Sequence, residues 1–162
     1  MNKEEIYKLL KNKNIWYEIS EHKAVYNMQD LSEIDLPYPE ADAKNIFVRD
    51  DKKRNYYLIT ILGQKRVNLK EFKNKNNTRN LSFASEEDLL KILGLTPGAV
   101  TPFGLLNDKE NIVKYYIDSA LCKEEGLIGI HPNDNTATVW MKTKDLIEII
   151  KEYGNEVYII DI

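Results

Sequence analysis

Apolar and polar residues alternate along two neighbouring segments, residues 44–50 (KNIFVRD) and 55–62 (NYYLITIL). This period of two, with many β-branched and aromatic residues, predicts two strands. The charged segment DKKR between them predicts a turn, so the strands should form a hairpin. Successive side chains of a strand point to opposite faces. Lys44 and Ile46 therefore share one face, and Asn45 lies on the other. If the face of Ile46 is the core face, Lys44 is a cation at the mouth of that core.

Other segments carry helix signals. Asn2 reads as an N-cap with Glu5 completing a capping box, and SEEDLLKILG has a serine cap, acids in its first turn and a terminal glycine. The patterns predict helices that begin at Asn2 and that cover 27–34, 85–94 and 143–154. Further strands are predicted at 15–20, 112–121, 136–142 and 156–162. Prolines predict loops at 35–43 and 96–104.

The order of these elements predicts a single domain, residues 1–162, of mixed α/β class. Strands and helices do not follow each other as regular βαβ units. We therefore expect a mostly antiparallel or mixed sheet flanked by helices.

Composition narrows the setting in which the protein works. No apolar run approaches the roughly 20 residues that span a bilayer, which predicts a cytoplasmic protein without a membrane partner. The single cysteine, Cys122, fits a reducing compartment. The net charge of −3 argues against a surface that binds nucleic acid all over. Residues 65–79 nevertheless carry six basic residues and one acid, which predicts either a solvated loop or a local contact for phosphates.

Several common chemistries find no support in the residues. His22, His131 and Cys122 are too few and too widely spaced for a zinc site, so no metal is expected. A Cys122 and His131 nucleophilic pair matches no established spacing, and a lone cysteine is usually a packing residue. The sequence contains neither the G-x-x-x-x-G-K nor the G-x-G-x-x-G motif, whose glycines bind phosphate groups. Their absence argues against nucleotide hydrolysis and dinucleotide chemistry.

Polar residues beside turns remain as candidates: Lys44, the TPFG turn at 101–104, and His131 with Asn133 and Asn135. Turns rich in glycine and proline leave backbone N–H groups free for a substrate carbonyl, which suits hydrolysis of an ester or amide. A surface lysine, an ordinary turn and a hairpin loop at HPNDN explain the same residues equally well.

Three segments change this balance: AKNIFVRD (43–50), LGLTPGAVTPFGLLND (93–108) and GIHPNDNTATV (129–139). Their order and separations resemble the bacterial prolyl-tRNA editing family, the free-standing YbaK/ProX-type aminoacyl-tRNA deacylases. The resemblance covers nearly the whole chain, from residue 21 onwards. It implies a mixed α/β fold around a barrel-like sheet, with no metal, no cofactor and no covalent intermediate.

The resemblance also implies a reaction and its partners. Family members hydrolyse the ester between a wrong amino acid and the 3′ end of the tRNA for proline. The PGAVTPFGLLND and HPNDNTAT segments are similar to the alanine-specific branch, so alanyl-tRNA(Pro) is the implied substrate. A synthetase pocket for proline rejects smaller amino acids weakly, because a missing methylene is worth only about 1–3 kcal/mol. The implied partner is the acceptor end of tRNA(Pro) charged with a small amino acid; association with prolyl-tRNA synthetase is left open.

Matching positions suggest roles for individual residues. Lys44 resembles the essential lysine of the family, which would stabilise the developing oxyanion, and Asn45 is its neighbour. Gly104 resembles a residue whose backbone N–H approaches the ester, with Thr101 and Pro102 shaping that turn.

The remaining matches concern the pocket and the tRNA. His131 resembles the histidine that lines the amino-acid pocket, where it limits the pocket size or binds the α-amino group, and Asn135 would brace that segment. His22 matches a recurrent position of less defined role, whereas YNMQD at 26–30 departs from the family pattern and leaves open any contact of the 27–34 helix with the terminal adenosine. The implied contacts to the tRNA backbone are Lys65, Arg66, Lys70 and Lys73.

Two alternatives stay open. A roomier or more polar pocket would favour cysteinyl-tRNA(Pro). A non-catalytic tRNA-binding module of the same fold is the other, although intact Lys44 and His131 argue against it.

Overall fold

The computed structural model of the protein describes residues 1–24, 36–123 and 125–162. Its helices are α1 (Lys3–Asn12), α2 (Leu69–Asn76), α3 (Glu86–Asp88), which continues as a π-helical turn (Leu89–Leu93), and α4 (Thr143–Glu152). Its strands are β1 (Tyr17–Glu21), β2 (Ala43–Asp50), β3 (Tyr56–Leu62), β4 (Leu81–Phe83), β5 (Val113–Asp118), β6 (Leu127–Ile130), β7 (Ala137–Lys142) and β8 (Val157–Ile160). Short 3-10 turns cover Pro39–Ala41, Pro102–Asn107 and Ser119–Leu121.

The strands form two sheets. A five-stranded sheet has the order β4-β2-β3-β5-β8, and a three-stranded sheet has the order β1-β7-β6. The predicted β2–β3 hairpin is confirmed, and β5 and β8 add parallel pairings, so the sheet is mixed. The described strands form two open sheets rather than a closed barrel, so the barrel-like part of the prediction is not confirmed. In the described part of the chain, an isolated parallel bridge between Asp42 and Gly129 connects the two sheets.

Two apolar clusters hold the layers together. The larger one contains side chains from both sheets, from α1 and from α4, including Ile6, Phe47, Val139 and Leu146. The second cluster lies on the opposite face of the five-stranded sheet, where Phe72 of α2 covers that face. Burial of these side chains is the main force that fixes both sheets, at about 25 cal/mol per Å² of apolar surface.

Local sequence signals explain where the helices begin. The Asn2 side chain accepts from the N–H of Glu5, and the Glu5 side chain accepts from the N–H of Asn2, so the predicted capping box is confirmed. The predicted cap at Ser85 is also confirmed, since its hydroxyl accepts from the N–H of Asp88. The predicted C-terminal helix is α4, which begins at Thr143.

Some elements differ from the sequence prediction. Residues 69–76 form α2, where we predicted only a basic stretch; Asn68 caps this helix and Phe72 anchors it. The predicted strand at 112–121 ends at Asp118, because the Asp118 side chain caps a 3-10 turn by accepting from Ala120 N–H. The helix predicted at 27–34 lies outside the described residues. No helix in the described part of the chain is long and apolar enough to cross a membrane.

Replacement of Gly129 by alanine should weaken the β6–β7 pairing. An alanine Cβ at this position would lie 2.2 Å from Cζ3 of Trp140, whose side chain is fully buried. Because the indole cannot move into solvent, we expect Gly129→Ala to lower the free energy of unfolding by about 1–3 kcal/mol. Urea unfolding measures this change, and Ser82→Ala on the exposed strand β4 is the control. Equal stability of the two variants would contradict this packing.

Candidate active site

The bridge between the two sheets places two of the predicted site residues in corresponding positions. Asp42 pairs with Gly129 in parallel orientation, and Lys44 and His131 each follow the bridge by two residues. In a parallel pair, residues at equal distance from a bridge point to the same face. We call the junction of the two sheets at the Asp42–Gly129 bridge the seam. The side chains of Lys44 and His131 therefore point to the same side of the seam, and both residues are half-buried.

His131 begins the loop of the β6–β7 hairpin, as the hairpin-loop reading predicts. Its backbone carbonyl accepts a 2.6 Å hydrogen bond from Thr101 Oγ1, which lies 30 residues earlier. Its ring Nδ1 lies 2.8 Å from the carbonyl oxygen of Ala137, across the loop. Thus backbone and ring are both held, the first by the TPFG turn and the second by β7.

The contact with Ala137 defines the tautomer of the neutral His131 ring. A carbonyl oxygen only accepts, so Nδ1 carries the hydrogen and, in the neutral ring, Nε2 keeps its lone pair. Burial lowers the pKa of His131, and the neighbouring His22 lowers it further, while the bond to Ala137 opposes the change. The imidazole is therefore neutral at pH 7 and presents an acceptor at Nε2.

His22, at the end of β1, reaches the same place. Its ring lies edge-on to the His131 ring, with 6.0 Å between the ring centres. Nδ1 of His22 donates to the Lys23 carbonyl at 2.7 Å, and Nε2 lies 2.8 Å from Thr138 Oγ1, so in the neutral ring the hydroxyl donates to it. The His22 N–H donates to the Thr136 carbonyl, which ties β1 to the His131 loop.

Sequence reasoning missed the residues of β7 that share this face. Alternation along the strand puts Thr138 and Trp140 on the side opposite to Val139, which belongs to the larger core. Trp140 Nε1 donates to Ser20 Oγ at 3.0 Å. Strict alternation in TATVWMK, once β7 is known to have one face in the core, is the signal that would identify them.

The TPFG turn differs from its predicted role at Gly104. Thr101 caps a 3-10 turn, and Pro102 is its first residue. The N–H of Gly104, however, donates to the Thr101 carbonyl at 3.0 Å, so in this conformation it does not point at a substrate. A Cβ on Gly104 would meet Leu95 Cδ1 at 2.6 Å. The need for glycine here is explained by close packing.

Lys44 and Asn45 lie on opposite faces of β2. Lys44 shares its face with Ile46 and the second core, whereas Asn45 accepts from Thr60 Oγ1 on the larger-core side. Thr60 in turn accepts from the hydroxyl of the buried Tyr115 at 2.9 Å. Asn45 therefore belongs to a chain of side-chain hydrogen bonds with Thr60 and Tyr115, on the face of the sheet opposite to Lys44. Asn135 is half-buried in the hairpin loop.

Asp42 is a second residue that the sequence did not single out. Burial raises the pKa of its carboxyl group from 3.8 to about 6, although the N–H of Ala43 opposes this change. The residue lies at the bridge, two positions before Lys44. Its carboxyl group is thus partly protonated just below neutral pH.

Two other chemistries can be compared with the geometry. Burial, with a smaller contribution from Asp118, raises the pKa of Cys122, which disfavours the thiolate a nucleophile requires. Among the described residues, no three His, Cys, Asp or Glu side chains are grouped so that they could hold a metal ion. A surface groove of about 450 Å³ lies between Trp16 and α4, away from the predicted site residues.

The predicted tRNA-contacting residues are not equivalent. The Lys65 ammonium lies 2.9 Å from the buried Asp118 carboxylate and donates to the Ile162 carbonyl, so it neutralises an internal acid. Lys73 donates to Asn80 Oδ1 at 2.7 Å. Arg66 and Lys70 are exposed. Because α2 covers the second core, it lies on the same face of the sheet as Lys44.

The pKa of Asp42 makes stability depend on pH in a defined direction. Since the folded pKa is above 3.8, the contribution of Asp42 favours folding below about pH 4 and is lost as the pH rises through about 6. We expect Asp42→Asn to be more stable than the wild type by about 3 kcal/mol at pH 8 and about equal near pH 4. Urea unfolding at both values tests this, with Glu87→Gln as the control for net charge. A difference that is the same at both pH values would contradict it.

The sequence is similar to a known family of domains and to individual members of related proteins. Residues 22–149 match the model of the aminoacyl-tRNA editing domain. The chain is 40% identical over 139 residues to the prolyl-tRNA editing protein ProX of Acetoanaerobium sticklandii, covering 86% of this chain and 84% of that protein. It is 30% identical over 147 residues to the mouse prolyl-tRNA synthetase associated domain-containing protein 1, covering 89% and 86%.

Solved structures share the fold. A structure described as a candidate trans-editing enzyme for prolyl tRNA synthetase superposes with a TM-score of 0.71 at 15% identity, covering 98% of this chain and 94% of that one. The matched residues include β2, the TPFG turn and the His131 loop, which are the segments that meet at the seam. The chain belongs to the aminoacyl-tRNA editing domain family, and the prediction of an aminoacyl-tRNA deacylase is confirmed.

Proposed function

We propose that the protein hydrolyses alanyl-tRNA(Pro) in trans and releases alanine and free tRNA. The observation that carries this proposal is the seam between the sheets, where the bridge and the Thr101–His131 hydrogen bond bring the three motif segments together. The relatives support the choice of tRNA, since one is named a prolyl-tRNA editing protein and another is named for association with prolyl-tRNA synthetase. The synthetase is accordingly a second partner in the proposal.

In the proposed reaction, water attacks the ester carbonyl and the ribose hydroxyl leaves. Lys44 follows the bridge by two residues on β2, as His131 does on β6, and this correspondence supports the proposal that its ammonium stabilises the negative charge that develops on the carbonyl oxygen. The proposed nucleophile is water rather than the one cysteine, because burial raises the pKa of Cys122 and disfavours its thiolate. A ribose hydroxyl of the tRNA helps to orient the water.

The proposed pocket for the amino acid lies next to His131. Its neutral Nε2 accepts a hydrogen bond from the α-amino group. The ring limits the space for the side chain, since Ala137 holds the ring and Thr101 holds the backbone of the same residue. The ring of Trp140 over Gly129 leaves this part of the face apolar. A rigid apolar wall admits a methyl group and excludes the proline ring by overlap, as a second sieve must.

The proposed tRNA contact uses α2. Arg66, Lys70 and Lys73 would meet phosphates of the acceptor stem, because α2 and Lys44 occupy the same face of the sheet. Lys65 is removed from this set, since Asp118 already neutralises it.

The second candidate substrate is cysteinyl-tRNA(Pro). The hydroxyl of Thr138 and the ring of His22 are polar groups on the same face, and they would suit a thiol. A non-catalytic tRNA-binding role is the outcome if no charged tRNA is hydrolysed.

The first test is hydrolysis of tRNA(Pro) charged with alanine, cysteine or proline. We expect the wild type to release alanine fastest, and Lys44→Ala to lower kcat by about 10²–10³ with tRNA binding retained, because the oxyanion loses its cation. Lys52→Ala, an exposed lysine in the β2–β3 turn, is the matched control. Faster release of cysteine would replace the substrate assignment, and no release from any tRNA would overturn the hydrolytic function.

The second test concerns α2. We expect Lys70→Ala to weaken binding of uncharged tRNA(Pro) and to reduce the slope of log K against log salt by about 0.7–0.9, the value for one phosphate contact. Once the enzyme is saturated, kcat should be unchanged. Lys151→Ala on α4 removes an equal charge from another surface. The same salt slope for both variants would contradict the assignment of α2.

A further inference from the structure

The beginning of the chain lies between two of the motif segments. The nitrogen of Met1 donates to Asn107 Oδ1 at 2.6 Å, at the end of the Pro102–Asn107 turn. The carbonyl of Met1 accepts from Asn133 Nδ2 at 2.8 Å, in the His131 loop. Asn107 is fixed in turn, because its Nδ2 donates to the Leu93 carbonyl at 2.7 Å. One backbone residue thus connects the two segments that border the proposed pocket.

Helix α1 makes a second contact with the same loop. Lys3 Nζ lies 3.5 Å from Thr136 Oγ1, and the charge of Lys3 contributes to the lowered pKa of Asp134. Asp134 accepts from the Thr136 N–H at 2.8 Å, and the Thr136 carbonyl accepts from the His22 N–H. The far end of the loop is therefore fixed between α1 and β1.

Asn133 is suited to this position by its conformation. Its φ is +60°, a region that asparagine, aspartate and glycine tolerate better than other residues. Among the described residues, its buried Oδ1 has no hydrogen-bond partner, so the bond from Nδ2 to Met1 is the contact that orients the amide. A buried polar atom without a partner costs free energy, so the bond from Nδ2 to Met1 offsets part of the cost of burying this amide.

We propose that residues 1–12 are a positioning element of the amino-acid pocket, in which Met1, through Asn107 and Asn133, sets the distance between the TPFG turn and the His131 loop. The inference rests on the proposed function, because it assigns to this distance the discrimination between amino acids. One methylene changes binding by only about 1–3 kcal/mol, so a small displacement of the His131 loop is enough to change which side chain fits. Asn107 and Asn133 act through this geometry and do not contact the ester.

The test compares variants that keep the backbone conformation. Asn133→Asp has the same shape but replaces the donor with an acceptor that repels the Met1 carbonyl, and Asn133→Gly removes the side chain where φ is positive. Lys3→Ala probes the second contact, and Lys8→Ala, exposed on the same helix, is its control. Each enzyme is assayed with tRNA(Pro) charged with alanine and with 2-aminobutyrate, which is one methylene longer.

We expect the ratio of kcat/KM for alanine over 2-aminobutyrate to fall by roughly tenfold in both Asn133 variants and by less in Lys3→Ala, with KM for tRNA unchanged. Lys8→Ala should keep the wild-type ratio. An unchanged ratio in the Asn133 variants, or an equal change in Lys8→Ala, overturns the proposal.

A second measurement separates this inference from the proposed function and from simple unfolding. The NMR signals of the His131 imidazole should shift in the folded Asn133 variants and in Lys3→Ala, and should not shift in Lys8→Ala. Unchanged His131 signals overturn the positioning role, whether or not the enzyme is active. A wild type that hydrolyses no charged tRNA overturns the proposed function and the specificity claim together. If Asn133→Asp does not fold, the glycine and Lys3 variants decide the question.

Discussion

The parallel bridge between Asp42 and Gly129 is the constraint on which the site depends. It joins the two sheets through the backbone, and it fixes the direction in which β2 and β6 leave the seam. Backbone hydrogen bonding sets this register, so it does not depend on the rotamers of the site residues. Gly129 is required because the ring of Trp140 occupies the space of a side chain. A packing constraint on the face of the hairpin opposite to the larger core thus fixes the strand that leads into the His131 loop.

Around this seam the protein combines a cation, a neutral imidazole and backbone that is already paired. The pKa of His131 is lowered because the ring is buried beside a second histidine, and the bond that the ring donates to Ala137 opposes this change without reversing it. The carbonyl of the same residue accepts from Thr101, which links the loop directly to the turn. Preorganised polar groups in a partly dry site stabilise charge better than groups that must reorient, which is the physical reason such rigidity suits ester hydrolysis.

The sequence predicts the elements whose signals are local. The capping box at Asn2, the cap at Ser85 and the β2–β3 hairpin can be derived from a few adjacent residues, and all three are confirmed. Helix α2 was missed, because its signal is a single buried Phe72 among charged residues. A propensity-based reading treats such a segment as a loop, since tertiary packing supplies its stability.

The site is harder to predict, because its contacts join residues that are distant in the chain. Alternation along β2 correctly separates Lys44 from Asn45, but only the fold reveals that Asn45 bonds to Thr60 inside the sheet. The role expected for the Gly104 N–H is not supported, because the 3-10 turn uses that N–H itself. Lys65 reads as a surface cation, yet it neutralises Asp118, which lies 53 positions further along and is buried. No pattern in the sequence shows these long-range partners.

A stable analogue of the substrate tests directly whether the charged end of the tRNA binds at the seam. In 3′-alanylamino-3′-deoxyadenosine an amide replaces the ester, so the enzyme binds it without turnover. In a ¹⁵N-resolved NMR titration, we expect the backbone signals of Lys44, Thr101 and His131 to shift together with a single dissociation constant. Shifts confined to α2 or to the groove between Trp16 and α4, with these three signals unchanged, would contradict it.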